Sequence, residues 1–289
     1  MAQTNSNSNP LLIQNLFGVQ GRIAVVTGGG KGLGEMMAHA WVVNGGHVVI
    51  TARNEETLSK TCERLNELGT GKAEFIVSDL SSKAGCAALC DEVKKRFEKI
   101  HVLVNNSGIA IPGQFHQYPE KDWDDVFNLN VKSIFYMTAE LTPLLAKDAT
   151  NLDPGRVIII ASVQAFNNQS DFGDRGLWSY STSKAAAVSL ASNLAVTLGP
   201  KLISVNAICP GLFPSDINQS IRDQADQLAH SLHPMGRYGG VEDMAGVFLF
   251  LASRAGAHIS ANAILSDGGI TAAGTNLSQS IAAAFGPKP

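Results

Sequence analysis

The stretch "RIAVVTGGGKGLGEMMAHAW", residues 22–41, decides how this chain folds. Four consecutive apolar residues, 23–26, run into a glycine-rich turn, and the turn opens a segment with helical periodicity. An unbroken β-branched run marks a strand covered on both faces, as in a parallel sheet. Gly28, Gly32 and Gly34 lie between strand and helix in a G-x-x-x-G-x-G spacing. Glycines placed there permit a tight turn and let backbone N–H groups approach a pyrophosphate at the helix N-terminus.

The same strand-then-helix unit recurs outward from this stretch. Strand-like runs stand at 47–51, 73–78, 101–105, 156–162, 204–209 and 262–267. Helical periodicity fills 33–44, 54–68, 83–97, 122–147, 180–198 and 241–253. The alternation predicts an α/β fold, a doubly wound parallel sheet of about seven strands flanked by helices. Residues 18–270 read as one domain, after a leader (1–17) and before a tail (271–289). The polar opening "MAQTNSNSNP" reads as a disordered leader, without the apolar segment of a signal peptide.

Composition narrows the function. Hydrophobic residues make up 45% of 289 and charged residues 16%, with a formal net charge of −3. That balance supplies a sizeable core and no electrostatic footprint for nucleic acid or an anionic membrane. No apolar run approaches the roughly eighteen residues of a membrane span. Cys62, Cys86, Cys90 and Cys209 form no Cys-x-x-Cys pair, and the seven histidines are scattered, so no metal is expected. The few cysteines fit a reducing compartment, and the expected location is the cytoplasm.

In sheets of this kind ligands bind outside the carboxyl ends of the strands. The second strand ends "ITARNEE" (50–56), with no carboxylate before Glu55 to hold a ribose 2′-hydroxyl. Arg53, with Lys31 from the glycine turn, is suited to clamp a 2′-phosphate, which favours NADPH/NADP over NAD. Asp79, after the third strand, is placed either to accept from an adenine amino group or to cap the next helix. Gly108, in "NNSG" (105–108), permits close backbone approach beside the adenosine. Residues 179–190, "SYSTSKAAAVSL", set Tyr180 and Lys184 four apart, on one face of a helix.

Taken in order, these segments resemble a short-chain dehydrogenase/reductase of the single-domain branch, with a Rossmann-type fold. The resemblance rests on TGGGKGLG (27–34), Asp79, NNSG (105–108), Asn130 in NLNVKS, Ser162, Tyr180-x-x-x-Lys184, NAICPG (206–211) and SDGG (266–269). The segments 234–246 and 79–85 are most similar to NADPH-dependent β-ketoacyl and ketone reductases. The resemblance implies a catalytic set of Asn130, Ser162, Tyr180 and Lys184. Tyr180 would protonate the reduced ketone oxygen, although a free phenol has a pKa of about 10. Lys184 would lower that pKa and hold the nicotinamide ribose, Ser162 would hold the substrate oxygen, and Asn130 would position a relay water. Ser179 and Ser181 are alternatives to Ser162. The implied cofactor contacts are Gly28, Gly30, Lys31, Gly32, Leu33, Gly34, Arg53, Asp79, Leu80, Asn106, Gly108, Pro210, Gly211, Phe213 and Ser215, with Tyr180 and Lys184. A homo-oligomer, tetramer or dimer, and a small-molecule ketone substrate are implied as well.

Two departures stand out. Ser162 and Tyr180 are 18 residues apart, longer than the family usually shows, and the extra length lies in 164–178. That loop is expected to rim the active-site mouth, with Gln164, Phe166, Phe172 and Trp178 as substrate-pocket candidates. Ser215 stands where the family's cofactor-contacting threonine would lie, after Pro214. Two further readings stay open: a dehydrogenase of a polyol or secondary alcohol, and a cofactor-binding scaffold protein without turnover.

Overall fold

Seven parallel strands form the central sheet among the described residues of the computed structural model, which are 9–166, 174–213 and 233–273. The strands are β1 (Ile23–Thr27), β2 (His47–Ala52), β3 (Lys72–Val77), β4 (Val102–Asn105), β6 (Gly155–Ile160), β8 (Ile203–Pro210) and β9 (Ala263–Ser266). Their spatial order is β3-β2-β1-β4-β6-β8-β9. The chain winds outward from β1 to β3, then crosses back to add β4 on the other side. The reversal point lies between β1 and β4, where a crevice opens at the carboxyl ends.

The strand pattern explains the two-sided core. Val25, Leu103, Val157, Ile159 and Val205 face one apolar layer. That layer is packed by α4 (Lys83–Arg96), α6 (Ser133–Ala146) and α7 (Trp178–Leu198). Their neighbours Ala24, Val26, Val48, Ile50, Val104 and Ile158 face the other layer. There α2 (Gly32–Val43), α3 (Glu55–Asn66) and α8 (Val241–Ala252) pack. Alternate residues of each strand therefore bury on both faces, which is why the runs read as continuously apolar. Side-chain caps start two of the helices: Asn54 accepts from Thr57 N on α3, and Ser82 accepts from Gly85 N on α4.

Several boundaries differ from the sequence expectation. The helix expected over 122–147 is α5 (Glu120–Phe127), a π-helical turn (Asn128–Lys132) and then α6. The wider turn is the physical reason for the break, and it carries Asn130. Within the leader expected to be disordered, Ile13–Leu16 form a helical turn, α1. Within the tail expected from 271, α9 (Ile270–Ala273) continues, its first turn held by Asp267, which accepts from Gly269 N and Thr271 N. A two-stranded ribbon pairs β5 (Gly113–Gln114) with β7 (Arg175–Gly176). It ties the returning end of the 164–178 segment to the loop after β4. Among the described residues no helix is long and apolar enough to cross a membrane.

Candidate active site

The glycine turn after β1 is built around contacts that exclude side chains. Gly28 has φ +65°, and a Cβ on Gly34 would come within 2.2 Å of the Gly28 carbonyl oxygen. Helix α2 can therefore sit this close to the turn only with glycine at 34. The turn is also tied to the next loop. Asn106 donates its side-chain amide to the Thr27 and Gly28 carbonyls, while Asn106 N and Ser107 N both donate to Thr27 Oγ1 at 2.9 Å. Lys31 is the N-cap residue of α2 and gives no side-chain cap. The first N–H groups of this helix are thus left to a ligand or water.

A cleft of about 940 Å³ opens here, lined by Gly28, Gly30, Lys31, Gly32, Arg53, Asn106 and Gly108. The predicted cations Lys31 and Arg53 thus both line the cleft. Glu35 lines it as well but pairs with Arg64 at 2.5 Å, so its charge is already answered. Asp79 caps nothing: it accepts from Ser81 N at 3.0 Å, while Ser82 caps α4. The Ser81 N–H foremost, helped by the Ser81 hydroxyl and last by the Arg53 charge, holds the Asp79 carboxyl below its usual range against the cost of burial. Leu80 is buried in one core layer, and Leu33 packs partly against the other.

Four side chains converge beyond Gly108. Tyr180 and Lys184 occupy one face of α7, with the Lys184 Nζ 5.6 Å from the tyrosine ring centroid. Lys184 is buried and donates to the Ile160 carbonyl at 2.7 Å. Ser162, at the end of β6, is hydrogen-bonded to the Tyr180 side chain. Its Oγ also accepts from Gln164 N at 3.1 Å. Asn130 Oδ1 accepts from Ile109 N, and its amide donates to Ile109 O at 2.9 Å and to Ser183 Oγ at 3.0 Å. A Cβ on Gly108 would stand 3.2 Å from Asn130 Oδ1 and 3.5 Å from Lys184 Nζ, so this glycine joins the cleft to the tetrad.

The electrostatics differ from expectation in two ways. Lys184 was expected to lower the Tyr180 pKa, but burial raises it, and the Ser162 hydrogen bond only opposes that rise. Burial also pushes the Lys184 ammonium down to about 8. Desolvation dominates both shifts because both groups sit in the protein interior. Both Asn130 amide hydrogens are engaged by protein atoms, Ile109 O and Ser183 Oγ. The alternative serines are committed elsewhere. Ser179 is fully buried against the Tyr118 hydroxyl, and Ser181 donates to Gln164 Oε1. Ser162 alone of the three bonds the Tyr180 side chain.

The rim is described in part. The Trp178 indole donates to the Gly113 carbonyl at 3.0 Å, and its ring meets Phe115 edge-on at 5.3 Å. Phe166 is half exposed. Phe213 was a cofactor-contact candidate, and its ring lies over Gly239, where a Cβ would come within 2.4 Å. Pro210 ends β8, and Gly211 N donates to Ser266 O at 3.0 Å, which pins the segment after β8 to "SDGG". Phe172, Pro214 and Ser215 lie outside the described residues. Sequence reasoning missed His39, Asn54, Thr57 and Val241 in the cleft, and Phe115 beside Trp178. Positions 31, 35 and 39 repeat every four residues, a helix-face signal that points to Glu35 and His39.

Known proteins are similar to this chain in sequence and in fold. The family model described as short chain dehydrogenase matches residues 22–226. A rhamnolipids biosynthesis 3-oxoacyl-[acyl-carrier-protein] reductase of Pseudomonas aeruginosa is 39% identical over 255 residues, covering 88% of this chain and 97% of that protein. A 2-dehydro-3-deoxy-D-gluconate 5-dehydrogenase of Dickeya dadantii is 34% identical over 260 residues, covering 89% and 98%. Among solved structures, the Pseudomonas aeruginosa RhlG/NADP active-site complex superposes with a TM-score of 0.80 at 38% identity, covering 89% of this chain and 98% of that one. With the family model spanning well over half its length, this chain belongs to the short-chain dehydrogenases.

Proposed function

We propose that this oxidoreductase is an NADPH-dependent carbonyl reductase that converts a ketone to a secondary alcohol, with Tyr180 as the proton donor. The observation that carries this reading is the convergence of Tyr180, Lys184, Ser162 and Asn130 beyond Gly108, at the end of a dinucleotide-sized cleft. The Tyr180 phenol keeps its proton near neutrality and can give it to a developing alkoxide.

The cleft fits an NADP(H) dinucleotide. Gly28, Gly32 and Gly34 clear the approach to the uncapped N-terminus of α2, and Lys31 with Arg53 supplies cations for a 2′-phosphate. When bound, the cofactor supplies the hydride. Ser162 orients the carbonyl oxygen toward Tyr180, whose proton moves to that oxygen. Lys184, fixed on Ile160 O, places a cation beneath the tyrosine and replenishes its proton while the ammonium persists, up to about pH 8. Asn130 acts as a positioning residue that locks the loop after β4 to α7.

A β-ketoacyl or bulky apolar ketone is the substrate class, supported by the aromatic pair of Phe115 and Trp178, the latter two residues before Tyr180 on α7, and by the reductase named among the relatives. The second relative's name favours a sugar-acid dehydrogenase as the other reading. Residues 18–270 form the catalytic unit. The working enzyme is a cytoplasmic dimer or tetramer, a reading supported by exposed Phe135 and Val196 on α6 and α7. The test is ketone-dependent oxidation of NADPH, with NADH in parallel, over a β-ketoacyl thioester, a bulky cyclic ketone and a sugar ketone. Turnover with NADPH is expected for the native chain and abolished in Tyr180→Phe, with NADPH binding retained. Undiminished turnover in that variant would overturn the proposal. Binding without turnover on any substrate would favour the scaffold reading.

A further inference from the structure

A second cavity, of about 90 Å³, lies at the amino ends of the strands and is lined by Arg22, Lys99, His101, Asp153 and Arg156. It stands across the sheet from the tetrad. Arg22 precedes β1, His101 precedes β4 and Arg156 is the second residue of β6, whereas Ser162 follows the far end of β6. At about 3.3 Å per residue the two sites are roughly 20 Å apart.

The charges around this cavity do not balance. Arg22 binds both oxygens of Asp153, at 2.9 and 2.6 Å, and Arg156 Nη1 reaches the same carboxylate at 2.6 Å. Two guanidinium groups therefore share one carboxylate. Arg156 is 1% exposed, and its Nη2 donates to the Ser253 carbonyl, but its Nε has no hydrogen-bond partner. Lys99 adds a third cation to the wall and meets Asp148 only at 3.7 Å. Arg254 contributes further positive charge to the field at Arg156. His101 adds none near neutrality. Its Nδ1 accepts from Ile23 N, and burial together with Arg22 and Lys99 pushes its pKa down to about 4.

A buried cation with an orphaned donor and a half-share of a carboxylate is costly unless an anion completes it. The space holds several waters or one small ion, because a water needs only about 10–15 Å³ of such volume. Planar guanidinium groups match oxyanions by geometry as well as charge. We propose that this cavity is a binding site for one tetrahedral oxyanion, phosphate or sulfate, held by Lys99, Arg22 and Arg156. Bound there, the ion neutralises the excess charge and braces the amino ends of β1, β4 and β6. It takes no part in the reaction.

The test is calorimetric titration of the full chain with inorganic phosphate and, separately, with sulfate, at constant ionic strength in chloride buffer. Saturating NADPH keeps the nucleotide cleft from contributing. One ion per chain is expected to bind, and the thermal midpoint is expected to rise to a plateau as sites fill. Lys99→Gln leaves the Arg22–Asp153–Arg156 cluster whole and is expected to fold normally, with affinity about tenfold weaker. Arg156→Lys, which removes Nε, is expected to weaken binding further if it folds. The preferred ion is the one with the tighter saturable heat. No saturable heat with either ion, or affinity unchanged in Lys99→Gln, would overturn the proposal, and neither outcome bears on the reductase reading.

Discussion

Ser183 shows how a residue with no chemistry of its own shapes this site. It is fully buried, receives a hydrogen bond from Asn130 and donates to the Tyr180 carbonyl at 2.7 Å. The loop after β4 is thereby fastened through Asn130 to the turn of α7 that presents Tyr180. Ser183→Ala leaves one Asn130 hydrogen without a partner in a dry environment, where an unmade hydrogen bond costs about 1–3 kcal/mol. The expected result is a fall of about tenfold in kcat with the NADPH dissociation constant unchanged. Stopped-flow turnover and fluorescence titration of NADPH measure the two separately. Equal losses in both would place Ser183 in cofactor binding instead. The sequence put Tyr180 and Lys184 on one face from their spacing alone. It gave no sign that the lysine's nearest partner is the Ile160 carbonyl, because that atom lies 24 residues away.

At the scale of the element, the glycine turn and the π-turn behave differently under sequence reading. The turn was legible because glycine is the one residue that accepts both the positive φ at 28 and the contact at 34. Gly34→Ala drives a methyl against the Gly28 carbonyl, so α2 must move off the turn. The expected destabilisation is about 1–3 kcal/mol, as for other overpacked sites, and NADPH affinity should fall with it. Thermal unfolding with and without NADPH checks this; a variant with native midpoint and affinity would show that α2 is free to shift. The π-turn at Asn128–Lys132 was not read from the periodicity of 122–147, because five residues are too few to define a period of their own. Its consequence is chemical, for it directs Asn130 at Ile109 and Ser183 and not along the regular helix face.

The whole molecule carries a pH dependence that begins far from the active site. His101 accepts the Ile23 N–H at the amino ends of β4 and β1, and its folded pKa of about 4 lies below the ordinary 6.5. Below pH 6.5 the unfolded chain binds a proton that the folded chain refuses. Stability from this group is therefore complete above pH 6.5 and is lost progressively down to about pH 4. His101→Asn keeps an acceptor and removes the titration, so its melting temperature should fall less steeply across that window than the native one. Differential scanning calorimetry from pH 4 to 7 reads the slope, and parallel slopes would contradict the assignment. Asp153, drawn down to about 2 by its two arginines against the cost of burial, adds its own loss only below the ordinary carboxylate range.

The sequence by itself determined the seven strands, because apolar periodicity is local and buried parallel strands repeat it without interruption. It also determined the glycine turn, the cations at 31 and 53, and the spacing of Tyr180 and Lys184 on α7. Only the tertiary structure decided which of three serines bonds Tyr180, that burial raises the Tyr180 phenol's pKa, and that Phe213 lies on Gly239. The same holds for the cluster of Arg22, Asp153 and Arg156, which joins positions up to 134 residues apart. The physical reason is common to all of these. Desolvation and hydrogen-bond partnership depend on neighbours brought from distant parts of the chain, and composition and spacing record only what each residue offers.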